Sequence, residues 1–316
     1  MLVLALIILI GADFSDYRIY FEDHQYLVEG ILQVLPADLD NNRQDELVLA
    51  GKNYIAREVY LYWLTADQNF KPVIQWQSEN LFEDRSIIWA VTGKFSTDQN
   101  QLLAFSNSQY YLYQINENHV DLIKQEKHSI QLLNIAGGDV DGDGRREIIV
   151  ARVGKVTSKA YNCQLQVWKF KGDQPELLVE SDLMGNIRGI AAGDIDQDGV
   201  DEVFVDEGVK FAPGNMHVLK MVATKLSEVF LLRKAAKGPI YGMRVKSFPE
   251  GPLLVTATAT GYIDFFKWED NALKPTGKEI NLGRGVMSFT VADLNNDNIP
   301  ELIVAGYPND LMILSK

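Results

Sequence analysis

Asp139-Val-Asp141-Gly-Asp143-Gly-Arg145-Arg-Glu147, running directly into Ile148-Ile-Val150, is the stretch on which the reading of the fold turns. Carboxylates stand at positions 1, 3, 5 and 9 of this nine-residue loop, and position 7 offers a main-chain carbonyl. That spacing suits a hard cation. Ca²⁺ takes six to eight oxygens at about 2.3–2.6 Å in irregular geometry, whereas Mg²⁺ keeps several waters and few carboxylates. Gly144 at position 6 supplies the backbone freedom of a tight loop. The apolar run that follows is β-type.

The loop recurs three times: Asp38-Leu-Asp40-Asn-Asn42-Arg-Gln44-Asp-Glu46, Asp194-Ile-Asp196-Gln-Asp198-Gly-Val200-Asp-Glu202 and Asp293-Leu-Asn295-Asn-Asp297-Asn-Ile299-Pro-Glu301. Each copy again enters an apolar run: Leu47-Val-Leu49, Val203-Phe-Val205 and Leu302-Ile-Val304. Position 6 is Gly199 or Asn298 in two of them; Arg43 in the other suits a positive φ least. A helix-flanked calcium loop would continue to an acid at position 12, but here the acid falls at 9 and a strand follows. A single copy reads equally well as a solvated turn, because Asp, Asn and Gly favour turns. Four copies in register argue instead for a repeated site.

Aligning the chain on these loops exposes two degenerate units, Trp89-Ala-Val-Thr-Gly-Lys94 before Leu102-Leu-Ala-Phe105, and Gly242-Met-Arg-Val-Lys246 before Leu254-Val-Thr-Ala257. Lys at position 1 leaves neither suited to a cation. Counted from Asp38, Lys94, Asp139, Asp194, Lys246 and Asp293, the intervals are 56, 45, 55, 52 and 47 residues. A second marker follows each loop: Leu61-Tyr-Trp63-Leu, Leu112-Tyr-Gln114-Ile, Val167-Trp-Lys169-Phe, Val218-Leu-Lys220-Met, Phe265-Phe-Lys267-Trp and Ile313-Leu-Ser315-Lys. A further extended stretch completes each unit, as in Leu177-Leu-Val-Glu180. Each unit is thus four short strands, the first rich in Ala and Gly as strands crowding an axis must be. Four-stranded units at this period predict an all-β, six-bladed β-propeller. A seventh blade would need a unit the chain does not contain. The sixth unit stops after its third strand, and Tyr17-Arg-Ile-Tyr-Phe21 precedes the first, so this N-terminal strand is expected to close the last blade and remove its exposed edge.

On these motifs the chain resembles the FG-GAP or VCBS repeat family, whose best-known fold is the N-terminal propeller of integrin α subunits. The resemblance spans about residues 14–316. It implies a structural Ca²⁺ in the hairpin between the first two strands of a blade, up to four ions in all. The implied ligands are Asp139, Asp141, Asp143, Arg145 (carbonyl) and Glu147; Asp194, Asp196, Asp198, Val200 (carbonyl) and Glu202; Asp38, Asp40, Asn42, Gln44 (carbonyl) and Glu46; and Asp293, Asn295, Asp297, Ile299 (carbonyl) and Glu301. The copies at 38–46 and 293–301 depart from the motif by Asn or Arg. The Phe-Gly and Gly-Ala-Pro elements of the integrin repeat are not evident, which points to a bacterial-type VCBS protein rather than an integrin subunit.

Composition agrees with one domain at residues 13–316, since a propeller is a single closed ring. The formal charge is −13, and the four loops hold 14 ligand-position carboxylates. Four divalent ions would leave −5, so the acidity reads as metal sites, and nucleic acid is a poor partner. A lone cysteine, Cys163, excludes a disulfide framework, and no Asn-x-Ser/Thr sequon is present. Residues 1–12, Met-Leu-Val-Leu-Ala-Leu-Ile-Ile-Leu-Ile-Gly-Ala, resemble a signal-peptide apolar core without its basic start; the alternative is an apolar N-terminal strand. They are too short to span a bilayer. Export places the protein outside the cytoplasm, where weak sites needing about 10⁻⁴–10⁻³ M calcium would fill; without a signal it is cytoplasmic.

No catalytic constellation is evident. His24, His119, His128 and His217 are scattered, and no nucleotide loop or nucleophile elbow occurs. Trp63, Trp168 and Trp268 recur on the third strand as interblade filler, whereas Trp89 on an inner strand does not. Arg152, Arg188, Arg244 and Arg284 fall near inner-strand ends and are candidates for the central channel. The expected function is a monomeric, non-enzymatic binding, adhesion or scaffold module for a protein or carbohydrate ligand. The alternative is a polysaccharide-active lyase or hydrolase.

Overall fold

A computed structural model describes residues 17–23, 30–42, 44–53, 56–81, 88–106, 108–116, 119–156, 161–208, 214–306 and 310–316. Residues 1–12, His24 and Arg43 lie outside them. Among the described residues twenty-four strands form six four-stranded antiparallel sheets. The N-terminal strand is β1 (Arg18–Asp23). Blade one follows as β2 (Gly30–Ala37), β3 (Glu46–Asn53), β4 (Glu58–Ala66) and β5 (Pro72–Gln77). Blade two is β6 (Trp89–Gly93), β7 (Gln101–Phe105), β8 (Gln109–Asn116) and β9 (His119–Lys127). Blade three is β10 (Leu132–Gly138), β11 (Glu147–Val156), β12 (Tyr161–Lys171) and β13 (Gln174–Glu180). Blade four is β14 (Ile187–Gly193), β15 (Glu202–Glu207), β16 (Asn215–Val222) and β17 (Lys225–Leu232). Blade five is β18 (Ile240–Phe248), β19 (Gly251–Thr258), β20 (Tyr262–Glu269) and β21 (Ala272–Asn281). Blade six is β22 (Val286–Ala292), β23 (Glu301–Gly306) and β24 (Leu311–Ser315). Its fourth strand is β1, which pairs antiparallel with β24 from Arg18↔Ser315 to Asp23↔Leu311. The closure expected from Tyr17–Phe21 is therefore present, and the ring has six blades.

The second strands read as continuous apolar runs because both faces of each sheet are buried. Along β3, Leu47 and Leu49 pack with Ala292, Leu294 and Ile303 of blade six, while Val48 and Ala50 pack with Ala90, Leu102 and Ala104 of blade two. Six such apolar clusters fill the six seams between neighbouring blades. Outer strands face solvent on most positions, as in β9. The inner strands need small residues for a steric reason. A Cβ at Gly193 would lie 2.5 Å from Val245 Cβ of the next blade, and one at Gly138 would collide with Ala192. Larger side chains there would force the ring apart.

The inner strands are also laced together by polar groups at a shared irregularity. The register shifts at Ile31/Gln33, Leu132/Asn134 and Val286/Ser288. There Gln33 Oε1 accepts from the Ala90 N–H at 2.6 Å, Asn134 Nδ2 donates to the Arg188 carbonyl at 2.9 Å, and Ser288 Oγ accepts from the Val34 N–H at 3.0 Å. These bridges were not anticipated from sequence, because Gln, Asn and Ser in a strand carry no mark of a neighbouring blade.

Candidate metal centres

Each acidic loop joins the first two strands of its blade, and the described residues of the four share their main turns. Position 4 adopts positive φ in every copy (Asn41 61°, Gly142 73°, Gln197 62°, Asn296 59°). So does position 6 at Gly144 (86°), Gly199 (92°) and Asn298 (65°). The position-1 carboxylate caps this winding: Asp139, Asp194 and Asp293 each accept from the N–H groups of positions 5 and 6 at 2.8–3.1 Å. Position 5 turns back on the chain, with Asn42, Asp143, Asp198 and Asp297 accepting from the N–H of position 7 at 2.7–3.0 Å. The winding is thus held by hydrogen bonds to the loop's own carboxylate and amide oxygens.

Position 9 is the deepest group. Glu147, Glu202 and Glu301 are fully buried and Glu46 nearly so. One carboxylate oxygen of each accepts from the N–H of position 2, at 2.6 Å to Leu39, 3.0 Å to Val140, 3.1 Å to Ile195 and 2.8 Å to Leu294. The other oxygen of Glu301 accepts from Ser315 Oγ at 2.8 Å, and those of Glu147 and Glu202 lie against lysines. Burial pushes these acids up: Glu46 to about 8, reinforced by Asp40 and Asp38; Glu147 and Glu301 to about 7; and Glu202 in the same direction. A buried carboxylate without a cation is held toward its neutral form.

Positions 1, 3 and 9 converge. In the loops of blades one, three and four, ligand atoms of Asp38/Asp40/Glu46, Asp139/Asp141/Glu147 and Asp194/Asp196/Glu202 all lie within 4.8 Å of one another. Oxygens on opposite sides of one Ca²⁺ stand about 4.6–5.2 Å apart, so this donor set fits that ion. Asp143 and Asp198 are not in these groups, and the carboxylates Asp293, Asp297 and Glu301 of blade six form no such group among the described residues. At position 7 the side chains leave the site. Arg145 donates to the Ser96 carbonyl at 3.2 Å and Gln44 to the Leu294 carbonyl, each on the neighbouring blade.

Two loops already hold a cation of their own. Lys169 Nζ meets Asp141 Oδ2, Asp143 Oδ2 at 2.7 Å and Glu147 Oε1 at 3.4 Å. Lys220 Nζ meets Asp196 Oδ2 and Glu202 Oε1, both at 2.8 Å, and Asp198 Oδ2. Partial burial opposes the charge on each lysine, but the surrounding carboxylates prevail and hold both above the ordinary lysine range. In return Lys169 and Lys220 draw Asp143 and Asp198 down. Register explains the meeting: Trp168 pairs with Ile148 and Leu219 with Val203, so the next residue stands across from position 9. The same register puts Thr65 opposite Glu46 and Ser315 opposite Glu301. The blade-one copy of the marker is thus Trp63-Leu-Thr65, two residues beyond the Leu61-Tyr-Trp63 read from sequence.

The degenerate loops lack the acidic set. In blade two Gln101 takes the place of the glutamate, its Oε1 accepting from the Phe95 N–H at 3.2 Å and the Ser96 N–H at 2.8 Å, with Gln114 opposite. Blade five replaces the loop by the tight turn between Phe248 and Gly251.

Position 8 ties three of the acidic loops to the preceding blade; in blade six it is Pro300, which has no N–H to donate. The N–H groups of Asp45, Arg146 and Asp201 donate to the carbonyls of Asp293, Lys94 and Asp139, each at 2.9 Å. Asp45 and Asp201 also accept from the N–H groups of Asp293 and Asp139, at 2.7 and 2.9 Å. Lys246, at position 1 of blade five, pairs with Asp45. Asp45, Lys94, Asp139, Arg146, Asp201 and Lys246 line a 490 Å³ polar cavity at the loop end of the channel. A second cavity of 660 Å³ is more apolar, lined by Leu32, Trp89, Leu133, Tyr241 and Met287 with Arg188. Arg244 lines both cavities. Arg284 instead pairs with Asp310 and Glu22, and Arg152 lines neither. Trp63 packs in the seam between blades one and two, and Trp168 and Trp268 pack in other seams, as expected of filler.

Residues 139–205, from the loop of blade three through the second strand of blade four, match the FG-GAP-like repeat. That match and the closed ring of six four-stranded blades fit an FG-GAP-like propeller. Among curated proteins none matches the chain. A solved structure titled "Crystal structure of BBS1N in complex with ARL6DN, soaked with mercury" is similar across 95% of this chain and 96% of that one, with a TM-score of 0.56 and 11% identity. At that identity the likeness shows the fold alone. No helix among the described residues is long and apolar enough to cross a membrane.

Proposed function

We propose that this propeller is a calcium-stabilised, non-catalytic binding module that presents the apolar channel mouth to a protein partner outside the cytoplasm. The observation that carries the reading is the contrast between the two ends of the channel. The loop end is committed to holding blades together: its charged groups pair with one another across blade boundaries, as Lys246 does with Asp45. The opposite end exposes Met287 (47%) beside Trp89 and Tyr241, with Arg188 at its rim. Clustered aromatic, Met and Arg side chains are the composition of protein-binding surfaces. That composition favours a protein partner over a glycan. Calcium acts on stability: it binds a loop wound in advance and lets the buried glutamate ionise. Export, monomeric action and residues 1–12 as signal belong to the same reading. Nothing in the site or the comparisons favours the polysaccharide-active enzyme.

The test has two arms. Thermal unfolding of residues 13–316 with excess Ca²⁺ and with chelator, with bound metal counted in the same sample, should show a calcium-dependent rise; no bound metal and no rise would remove calcium from the function. A site at one hundred times its dissociation constant adds about 2.7 kcal/mol. For the face, Tyr241→Glu/Met287→Glu should abolish cross-linking to a protein ligand from the protein's native source while leaving calcium-dependent unfolding unchanged. Retention of that cross-link, or its replacement by glycan-array binding, would refute the protein-binding mouth.

A further inference from the structure

The six hairpins offer an internal series in which one position varies against another. Opposite a position-9 glutamate stand Lys169 and Lys220 in blades three and four, but Thr65 and Ser315 in blades one and six. Where position 9 is Gln101, the partner is the neutral Gln114. The lysines accompany the two loops with four carboxylates; the hydroxyls accompany the two with three. Each lysine thus balances one charge, but its place matters more than its sign. Its ammonium lies against positions 3, 5 and 9 together, on the oxygens a divalent ion would have to share. It reaches them from a β-strand backbone fixed by pairing on both sides. A tethered cation of this kind is present at very high local concentration, and a metal ion must displace it before it can bind.

We propose that Lys169 and Lys220 are the resident cations of blades three and four, so that these two loops close without metal and divalent-ion binding is left to the acidic loops without a lysine, first of all blade one, where the donors converge. The inference rests on the calcium reading only for blades one and six; for blades three and four it concerns the lysines themselves. It assigns the two fullest copies of the motif to a salt-bridged state and the two poorest to the metal. In blade one the donors Asp38, Asp40 and Glu46 converge with a threonine opposite, and nothing positively charged stands on the facing strand at that place.

The experiment counts calcium bound per chain by native mass spectrometry and titration calorimetry, for wild type and for K169M/K220M. The expected result is no more than two ions on the wild type and two more on the double variant. Three or four ions on the wild type, or no gain in the variant, would overturn the proposal. Should the wild type bind none and the variant two, the lysine role stands and the calcium reading of the native protein fails; none on either removes both. A pair of variants guards against misfolding of K169M/K220M. In the otherwise native chain, D40N/D297N should abolish calcium binding, whereas D141N/D196N should leave the ion count unchanged. Loss of ions in the second pair, or their retention in the first, overturns the assignment without any lysine change.

Discussion

Blade four and blade one carry the same loop on the same hairpin and differ in what stands across the sheet from the position-9 glutamate: Lys220 in one, Thr65 in the other. In both, the glutamate is buried and holds the N–H of position 2. Burial makes its charge expensive in both. Blade four offsets part of that cost with Lys220, although burial still pushes Glu202 up, while blade one leaves Glu46 pushed up to about 8. The comparison teaches that a metal-binding pattern specifies where negative charge will converge, not which cation answers it. The answer comes from a residue about twenty positions away, brought in by strand pairing.

Removing the glutamate strikes both of its roles at once. Glu202→Ala strands the buried Ile195 N–H and takes a carboxylate from Lys220, and should cost about 3 kcal/mol. Glu202→Gln keeps the N–H partner, as Gln101 does in blade two, and should cost less than half of that. Urea unfolding in chelator checks the pair. Equal losses would mean that the hydrogen bond contributes little and the ion pair nearly everything.

Removing the lysine isolates the second role. In chelator, Lys220→Met leaves Asp196, Asp198 and Glu202 without their cation and should cost about 2 kcal/mol, a value reduced for the half-exposed Asp198. Thr65→Val in blade one should shift stability by under ~0.5 kcal/mol, since the residue opposite Glu46 on the facing strand carries no charge to lose. Thermal unfolding of the two variants side by side is the measurement. A Thr65→Val loss as large as that of Lys220→Met would mean the two blades are held in the same way.

Asp206 supplies a buried carboxylate outside the loops, with neither metal geometry nor lysine. It is fully buried on β15, and its Oδ2 accepts from the Ile240 N–H at 3.2 Å. Burial raises it from 3.8 to about 7, with Arg188 and His217 opposing. A raised acid favours the folded state while protonated. Its contribution is therefore complete below about pH 4 and lost as pH rises through about 7. Asp206→Asn should abolish that slope, making the variant relatively more stable by about 1–2 kcal/mol at pH 7.5 than at pH 5. Denaturant midpoints at the two pH values decide it; parallel behaviour of wild type and variant would show that Asp206 is paired in a way the geometry does not display.

Much of this architecture was legible in the sequence because it repeats. Four acidic loops in register, each before an apolar run, gave the blades, and a surplus strand at Tyr17–Phe21 gave the closure. Within the loops, positive φ at Gly144, Gly199 and Asn298 was readable from residue type. Gln197 at position 4 was not, since glutamine carries no left-handed preference to notice. Lys169 and Lys220 were visible in the third-strand marker, but their meaning required the register that sets them opposite Glu147 and Glu202. The tie at position 8 joins Asp45 to Asp293 across 248 residues, and no local pattern carries such a contact.

The loops themselves permit one finer comparison, at position 6. Gly144 and Gly199 hold φ of 86° and 92° without a Cβ, and Asn298 holds 65° with one. Asparagine tolerates this region because its short side chain adds little steric cost, but glycine tolerates it at none. Glycine also gains more freedom on unfolding, which offsets part of the benefit. The net for Asn298→Gly should be a stabilisation of only about 0.3 kcal/mol, while Gly144→Ala, forced into the same region without asparagine's ease, should cost about 1 kcal/mol. If winding precedes the ion, both effects appear unchanged in chelator and in calcium. Effects seen only with calcium present would mean that the ion winds the loop, and that the hydrogen bonds from Asp139 and Asp293 to positions 5 and 6 are its consequence rather than its cause.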